Sequence, residues 1–119
     1  MKRTLILGAT TNQNRYAYLA ANKLKAYGHD IINIGIKTGE LAGKNIEKAG
    51  EIYPDVDTIT LYVGVKHQPE YYDYIIKTNP KRIIFNPGTE NSELEDLASQ
   101  HRIETLHACT LVLLSIGKY

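Results

Sequence analysis

Leu5-Ile6-Leu7 is an apolar run that halts at Gly8, and the next six residues, Ala9-Thr10-Thr11-Asn12-Gln13-Asn14, are turn and helix-cap chemistry. A helical pattern follows. From Arg15 to Tyr27 the residues Tyr16, Ala17, Ala20, Ala21, Leu24 and Tyr27 recur at three- and four-residue spacing, and Gly28 stands where a helix C-cap glycine belongs. Ile31, Ile32, Ile34 and Ile36 then supply a β-branched run that reads as a second strand. Strand, helix, strand in this order is right-handed and parallel in nearly all known cases.

The rest of the chain has segments that extend such a unit. Gly35, Gly39 and Gly43 punctuate a loop with room for a short edge strand at Lys44 to Ile46, and Asp57 to Gly64 alternates threonine with Ile59, Leu61 and Val63 as a central strand does. Pro69 fits the first position of a helix capped by Gln68, which ends at Asn79-Pro80. Arg82 to Phe85 reads as a strand broken by Asn86-Pro87-Gly88-Thr89, and Ser92 with Glu95 makes a capping box for a helix carrying Leu94, Leu97 and Ala98. Ile103 to Leu106 reads as the last strand and Cys109 to Tyr119 as a closing helix. The expected fold is α/β and Rossmann-like, a five- or six-stranded, mainly parallel sheet with helices on both faces, in one domain over residues 1–119.

Fourteen basic and thirteen acidic residues leave a net charge of +1, which steers the chain toward neither nucleic acid nor an anionic membrane. Any anion site must be local. The single Cys109 makes no internal disulfide, the opening apolar run is too short for a signal peptide, and a cytoplasmic setting is expected. The four histidines lack metal-ligand spacing, and no nucleophile, acid and base set stands out, so no catalytic residue is assigned.

In a parallel sheet, ligands bind beyond the carboxyl ends of the strands, which selects the loop after Gly8. A helix start there presents free N–H groups and a partial positive charge, with Asn12 and Asn14 as caps and Arg15 in the first turn. A cation opposes the dipole at that place, and a bound phosphate reverses the penalty. The dinucleotide fingerprint would need glycine at 8, 10 and 13, yet Thr10 and Gln13 occupy two of those places, and no acidic residue follows the second strand. NAD is disfavoured. Lys37 suits a phosphorylated ribose, and both the 3′-phosphate of coenzyme A and the 2′-phosphate of NADP satisfy it.

Together "GATTNQNRYAY", "GELAGK", "VDTITLYV", "QPEYYDYI", "KRIIFNPGTEN" and "CTLVLLSIGKY" resemble the small stand-alone CoA-binding proteins of bacteria, related in fold to the coenzyme-binding domain of the succinyl-CoA synthetase alpha subunit. The resemblance covers nearly the whole chain. It implies that Gly8, Ala9, Thr10, Asn12, Asn14 and Arg15 hold the pyrophosphate, that Lys37 is the basic residue past the second strand, and that Tyr62, Val63 and Gly64 border the adenine. It further implies that Asn86, Pro87, Gly88 and Thr89 line the pantetheine side. Gly35-Ile36 departs from the Asn-Pro of many relatives.

Gln68 and His67 start a helix at the same sheet end, where Gln68 serves as ligand contact or as cap. Cys109 lies there too, either as an inert thiol or, with His107 lowering its pKa, as a partner for the coenzyme thiol in a mixed disulfide. The function expected is a non-enzymatic carrier or sensor of coenzyme A or acyl-CoA, monomeric or homodimeric. The alternatives are an NADP-dependent reductase or acyl-CoA-using enzyme subunit needing a partner chain, and an interaction module whose apolar C-terminal stretch makes a dimer contact.

Overall fold

The computed structural model describes residues 1–119. In chain order they form β1 (Thr4–Leu7), α1 (Tyr16–Ala26), β2 (Ile31–Ile34), β3 (Gly39–Leu41), β4 (Lys44–Glu47) and β5 (Thr58–Leu61). A 3₁₀ segment (Val65–Tyr71) then leads into α2 (Tyr72–Thr78), β6 (Arg82–Phe85), α3 (Ser92–Gln100), β7 (Glu104–His107) and α4 (Thr110–Ser115). The strands make one sheet in the order β3-β4-β2-β1-β5-β6-β7, parallel throughout except where β3 runs against β4.

The α/β class and the parallel sheet are as expected, but there are seven strands rather than five or six. The difference is the segment after Ile34, which folds as a complete hairpin: Ala42 and Gly43 take φ of 53° and 80°, the two positive values that a tight hairpin turn requires. Alanine is an unusual occupant of that position, so the turn carries no Asn-Gly or Asp-Gly signal. Asn33, buried in β2, fastens the turn by donating from Nδ2 to the carbonyls of Leu41 (2.9 Å) and Lys44 (3.2 Å).

Alternate residues of the strands serve two cores, as the pleat dictates. On one face Ile6, Ile31, Leu41 and Ile46 pack with Ala17, Ala21 and Leu24 of α1 and Leu114 of α4. On the other, Leu5, Leu7, Ile59, Ile83 and Phe85 pack with Ile75 of α2 and Leu94 and Ala98 of α3. The small residues of α1 let it lie close to the sheet. Tyr16, read as part of the apolar stripe, is 70% exposed, and Ile36, read as strand, lies beyond β2 and is 74% exposed.

The helix ends also differ. Asn91, not Ser92, caps α3, its Oδ1 accepting from the amides of Glu93 (3.1 Å) and Leu94 (3.4 Å). Pro69 lies inside the 3₁₀ segment rather than at the start of a helix, and Gln68 caps nothing. The closing helix stops at Ser115, before Gly117 at φ 70°. Gly28, at φ 86°, does end α1 as read.

At the amino ends of the strands the Tyr119 phenol lies 2.6 Å from the Thr4 hydroxyl, and its ring meets His29 at 5.0 Å and the Arg82 guanidinium at 4.6 Å. His29 Nδ1 accepts from the Lys2 amide at 2.9 Å. Burial first, then the positive charges of the N-terminal amine, Lys2 and Arg82, lower the His29 pKa below its usual 6.5. The unfolded chain therefore binds the proton more readily, so this contribution to stability is complete above the unfolded value and is lost as pH falls through the folded one. We expect a His29→Gln variant to show a flatter dependence of melting temperature between about pH 7 and about pH 5 than the parent. Parallel curves would refute this role for His29.

Candidate functional site

Parallel register aligns the carboxyl ends of the strands: Leu7 pairs with Ile34 and with Leu61, Leu61 with Phe85, and Phe85 with His107. The residues just beyond them, Gly8, Gly35, Tyr62, Asn86 and Ala108, therefore lie along one edge. From β1 the chain runs outward through β2 to the hairpin, then returns to β5 on the other side of β1, so the point where strand order reverses lies between β1 and β5. Gly8 stands there at φ 101°, and a methyl group on it would lie 3.0 Å from the carbonyl carbon and oxygen of Tyr62. The amides of Gly8 and Ala9 both donate to the Ile34 carbonyl at 2.9 Å, which turns the chain across the end of β2. Gly35 lies against that crossing, and a methyl group on it would overlap the Ala9 carbonyl oxygen.

The loop then folds on its own side chains. Thr10 Oγ1 accepts from the Asn12 amide (3.1 Å), Asn12 Oδ1 from the Asn14 amide (3.0 Å), and the Asn12 carbonyl from the Arg15 amide (3.1 Å). Neither asparagine caps α1. Arg15 itself is the N-cap residue, in extended backbone, with no side-chain cap. The amides of Thr10, Thr11, Gln13, Tyr16 and Ala17 donate to no group of the chain, and the exposed side chains of Asn14 and Arg15 make no hydrogen bond or ion pair. No acidic residue stands in the first turn of α1, whereas Lys23 and Lys25 stand in its last. The helix start thus combines free donors, the positive end of the dipole and a guanidinium, with no protein anion to neutralise them.

Lys37 is exposed, without an ion pair, in the segment that leads into the hairpin. Tyr62 turns its side chain toward the α1 and α4 layer and Val63 toward the α2 and α3 layer, while Gly64 is exposed, with open space where a β-carbon would stand. The Tyr62 hydroxyl is buried without a hydrogen bond of good geometry, and burial, reinforced by the Cys109 charge, pushes its pKa up to about 12.

Asn86 to Thr89 is a β-turn in which the Thr89 amide donates to the Asn86 carbonyl at 3.0 Å, Pro87 follows the first residue and Gly88 takes φ 92°. Asn86 is 2% exposed. Its Nδ2 donates to Thr60 Oγ1 (2.8 Å) and the Leu61 carbonyl (2.9 Å), and its Oδ1 accepts from the Thr110 amide (2.9 Å). Gln68 is 0% exposed: its Nε2 donates to the carbonyls of Val63 (2.9 Å) and Thr89 (2.8 Å), and its Oε1 accepts from Asn91 Nδ2 (2.8 Å). Thr89 Oγ1 donates to the Asn86 carbonyl at 2.7 Å. These three side chains hold the turn from behind, and Pro87 and Gly88 form its exposed surface.

Cys109 is half-buried at the start of α4. His107 is engaged elsewhere: its Nε2 lies 2.9 Å from Glu95 Oε1 and its ring packs on Phe85 in a T-shaped pair with centroids 5.6 Å apart. Two residues read from the sequence only as loop glycines belong to the site's framework, Gly35 against Ala9 and Gly39 against Thr11. A separate concavity of about 760 Å³ opens at the amino ends of the strands, around Arg3, Asp30, Asp57 and Lys81, remote from these loops. No three His, Cys, Asp or Glu side chains converge as a metal site would require, and no helix is long and apolar enough to cross a membrane.

Comparison with known proteins places this edge in context. The chain is similar in structure to an uncharacterized protein of known crystal structure, with 53% identity over 100% of this chain and 98% of the other and a TM-score of 0.97. The structure of cell-free ID.343 from Thermus thermophilus shares 16% identity over 99% of this chain and 90% of its own, with a TM-score of 0.88. A hypothetical protein from Pyrococcus horikoshii OT3 shares 24% identity over 93% and 79%, with a TM-score of 0.83. The latter two likenesses speak for the fold alone. No protein with curated function matches. The family described as the CoA binding domain matches residues 2–115, nearly the full length and including every loop at the carboxyl edge of the sheet, so the chain belongs to the CoA binding domain family.

Proposed function

We propose that the chain binds coenzyme A, or an acyl derivative of it, across the carboxyl edge of the sheet as a non-enzymatic carrier or sensor. In this reading the free amides of the Gly8 to Arg15 loop and of the first turn of α1, with the side chains of Asn14 and Arg15, receive the pyrophosphate, and Lys37 meets the 3′-phosphate. The adenine lies by Tyr62, Val63 and Gly64, and the pantetheine arm runs past Pro87 and Gly88 toward Cys109. Asn86, Thr89 and Gln68 act by holding that turn. The observation that carries the reading is the run of unpartnered amides beside an unpaired Arg15, in a chain of the CoA binding domain family. A phosphate supplies the acceptors and the negative charge that this helix start lacks.

Calorimetric titration with coenzyme A, 3′-dephospho-coenzyme A, NAD and NADP tests it. Coenzyme A should bind, weakening when the 3′-phosphate is removed, and binding of NADP alone would overturn the assignment. Arg15→Ala should lower affinity by about 1.5–3 kcal/mol, roughly 10- to 150-fold, as loss of a charge-assisted bond does. Exposure of Arg15 means that the fold should not suffer. An unchanged affinity would remove Arg15 from the site.

A further inference from the structure

Large apolar side chains exposed singly are ordinary on a protein surface, but a contiguous group of them marks a contact. Four of the nine that this chain exposes, Tyr16, Leu19, Val112 and Ile116, belong to α1 and to α4 with its C-cap. Each of these helices follows a strand that ends at the carboxyl edge, so both begin there and run away from it together. Lys23 shows which of their sides meet: its Nζ donates to the Leu111 carbonyl at 3.4 Å and to Ser115 Oγ. One turn before Lys23, on the same side of α1, stands Leu19, 44% exposed, with Tyr16 three residues earlier. One turn before Ser115 on α4 stands Leu111, half-buried, and the adjacent Val112 is 53% exposed.

An apolar strip therefore runs between the two helices. It opens at the carboxyl edge between Tyr16 and Cys109, the residue before α4, and ends at the polar pair of Lys23 and Ser115. Tyr16 and Lys23 are two helical turns apart, about 10 Å. No acidic residue occurs from Gly8 to His29 or from Thr105 to Tyr119, whereas Arg15, Lys23, Lys25 and Lys118 do. Two copies laid strip to strip would thus oppose like charges, which disfavours a second copy as the cover. The ligand proposed above brings a cover of its own. Its pantetheine arm ends at Cys109, where the strip begins, so an acyl group on the coenzyme sulfur continues directly onto it.

We infer that the strip between α1 and α4 receives the acyl chain of an acyl-CoA, with a preference for linear chains of about eight carbons, the length that fits before Lys23 and Ser115. The inference rests on the coenzyme A reading. Hydrocarbon lying along Leu19, Leu111 and Val112 leaves water on one side only, and half-burial of each methylene gives about a twofold gain in affinity.

Calorimetric titration of the full chain with coenzyme A and its acetyl, octanoyl and dodecanoyl thioesters tests this. Octanoyl-CoA should bind roughly tenfold or more tightly than acetyl-CoA, and dodecanoyl-CoA within about threefold of octanoyl-CoA. Equal affinity for the acetyl and octanoyl thioesters overturns the inference, and so does a gain that continues undiminished to dodecanoyl. Leu19→Gln combined with Val112→Gln, both exposed helical positions, should hold the melting temperature within about 2 °C of the parent and keep its affinity for coenzyme A. The octanoyl preference should fall to about threefold or less in that variant, and a preference that survives places the chain elsewhere and overturns the inference. If the double variant does not fold, Val112→Gln alone must cut the preference by about half or more, and an unchanged preference is equally decisive. Sedimentation of the ligand-free parent should show a monomer; a dimer that the double variant dissociates means that a second copy covers the strip, and the inference falls. A parent that binds neither coenzyme A nor its thioesters defeats the coenzyme reading and this inference together, whereas one that binds coenzyme A and octanoyl-CoA equally defeats the inference alone.

Discussion

Gly8→Ala should cost about 2–4 kcal/mol of stability and lower the melting temperature by roughly 10 °C. Two effects add. At φ 101° the backbone occupies a region that an L side chain adopts only under strain, about 1–3 kcal/mol by itself. The new methyl would also lie 3.0 Å from the Tyr62 carbonyl carbon and oxygen, which are main-chain atoms immediately after the adjacent central strand and cannot rotate aside. Relief requires β1 and β5 to separate where strand order reverses, and that loosens the paired bonds from the Gly8 and Ala9 amides to Ile34. The Gly8 to Arg15 loop would then leave the sheet at another angle, so coenzyme A affinity should fall with stability. Gly64→Ala supplies the control: Gly64 has φ −62° and open space where the β-carbon would stand, and the change should stay within about 0.5 kcal/mol. Calorimetric melting of both variants decides the matter, and a Gly8→Ala protein that melts with the parent would show that the crossing is not tight.

The strand, glycine and helix at the start of the chain were legible because each signal is local: an apolar run, a turn, a period of three to four and a C-cap glycine. Misreadings arose where a distant contact decides. Ser92 with Glu95 matches a capping box by spacing, yet Glu95 reaches His107 at 2.9 Å across to β7, and the neighbouring Asn91 takes the cap. The hairpin turn escaped because Ala42 at φ 53° is held by the tertiary bonds of Asn33 rather than by turn chemistry of its own. For the site, order along the chain selects the loops at the carboxyl edge but cannot separate polar side chains that face outward from those consumed inside. Asn14, Arg15 and Lys37 lie open, whereas Gln68, Asn86 and Thr89, equally polar and equally close to strand ends, are closed by internal hydrogen bonds.

Asn86 should accordingly behave as a keystone of the fold. It joins β5, β6 and the start of α4 with three hydrogen bonds from a side chain that is 2% exposed. Asn86→Leu fills the same space but strands the Thr110 amide and the Leu61 carbonyl, each a buried group whose lost bond costs about 1–3 kcal/mol, so a loss of about 2–5 kcal/mol is expected. That is a large part of the roughly 5–15 kcal/mol that holds a domain folded. Asn86→Asp separates hydrogen bonding from shape. It keeps the acceptor for the Thr110 amide, but as a carboxylate it faces the Leu61 carbonyl and the Thr60 hydroxyl without the donors that Asn86 provides there. Only the protonated acid can donate, so burial and this geometry raise its folded pKa above the unfolded value of about 3.9. The native state then binds the proton more tightly, and stability falls as pH rises through the folded pKa, opposite in sign to the His29 effect. Melting measured from about pH 5 to about pH 8 should therefore bring Asn86→Asp closest to the parent at the acid end, with Asn86→Leu displaced evenly across the range. An Asn86→Asp protein that gains on the parent toward alkaline pH would mean that the amide donors do not hold this junction together.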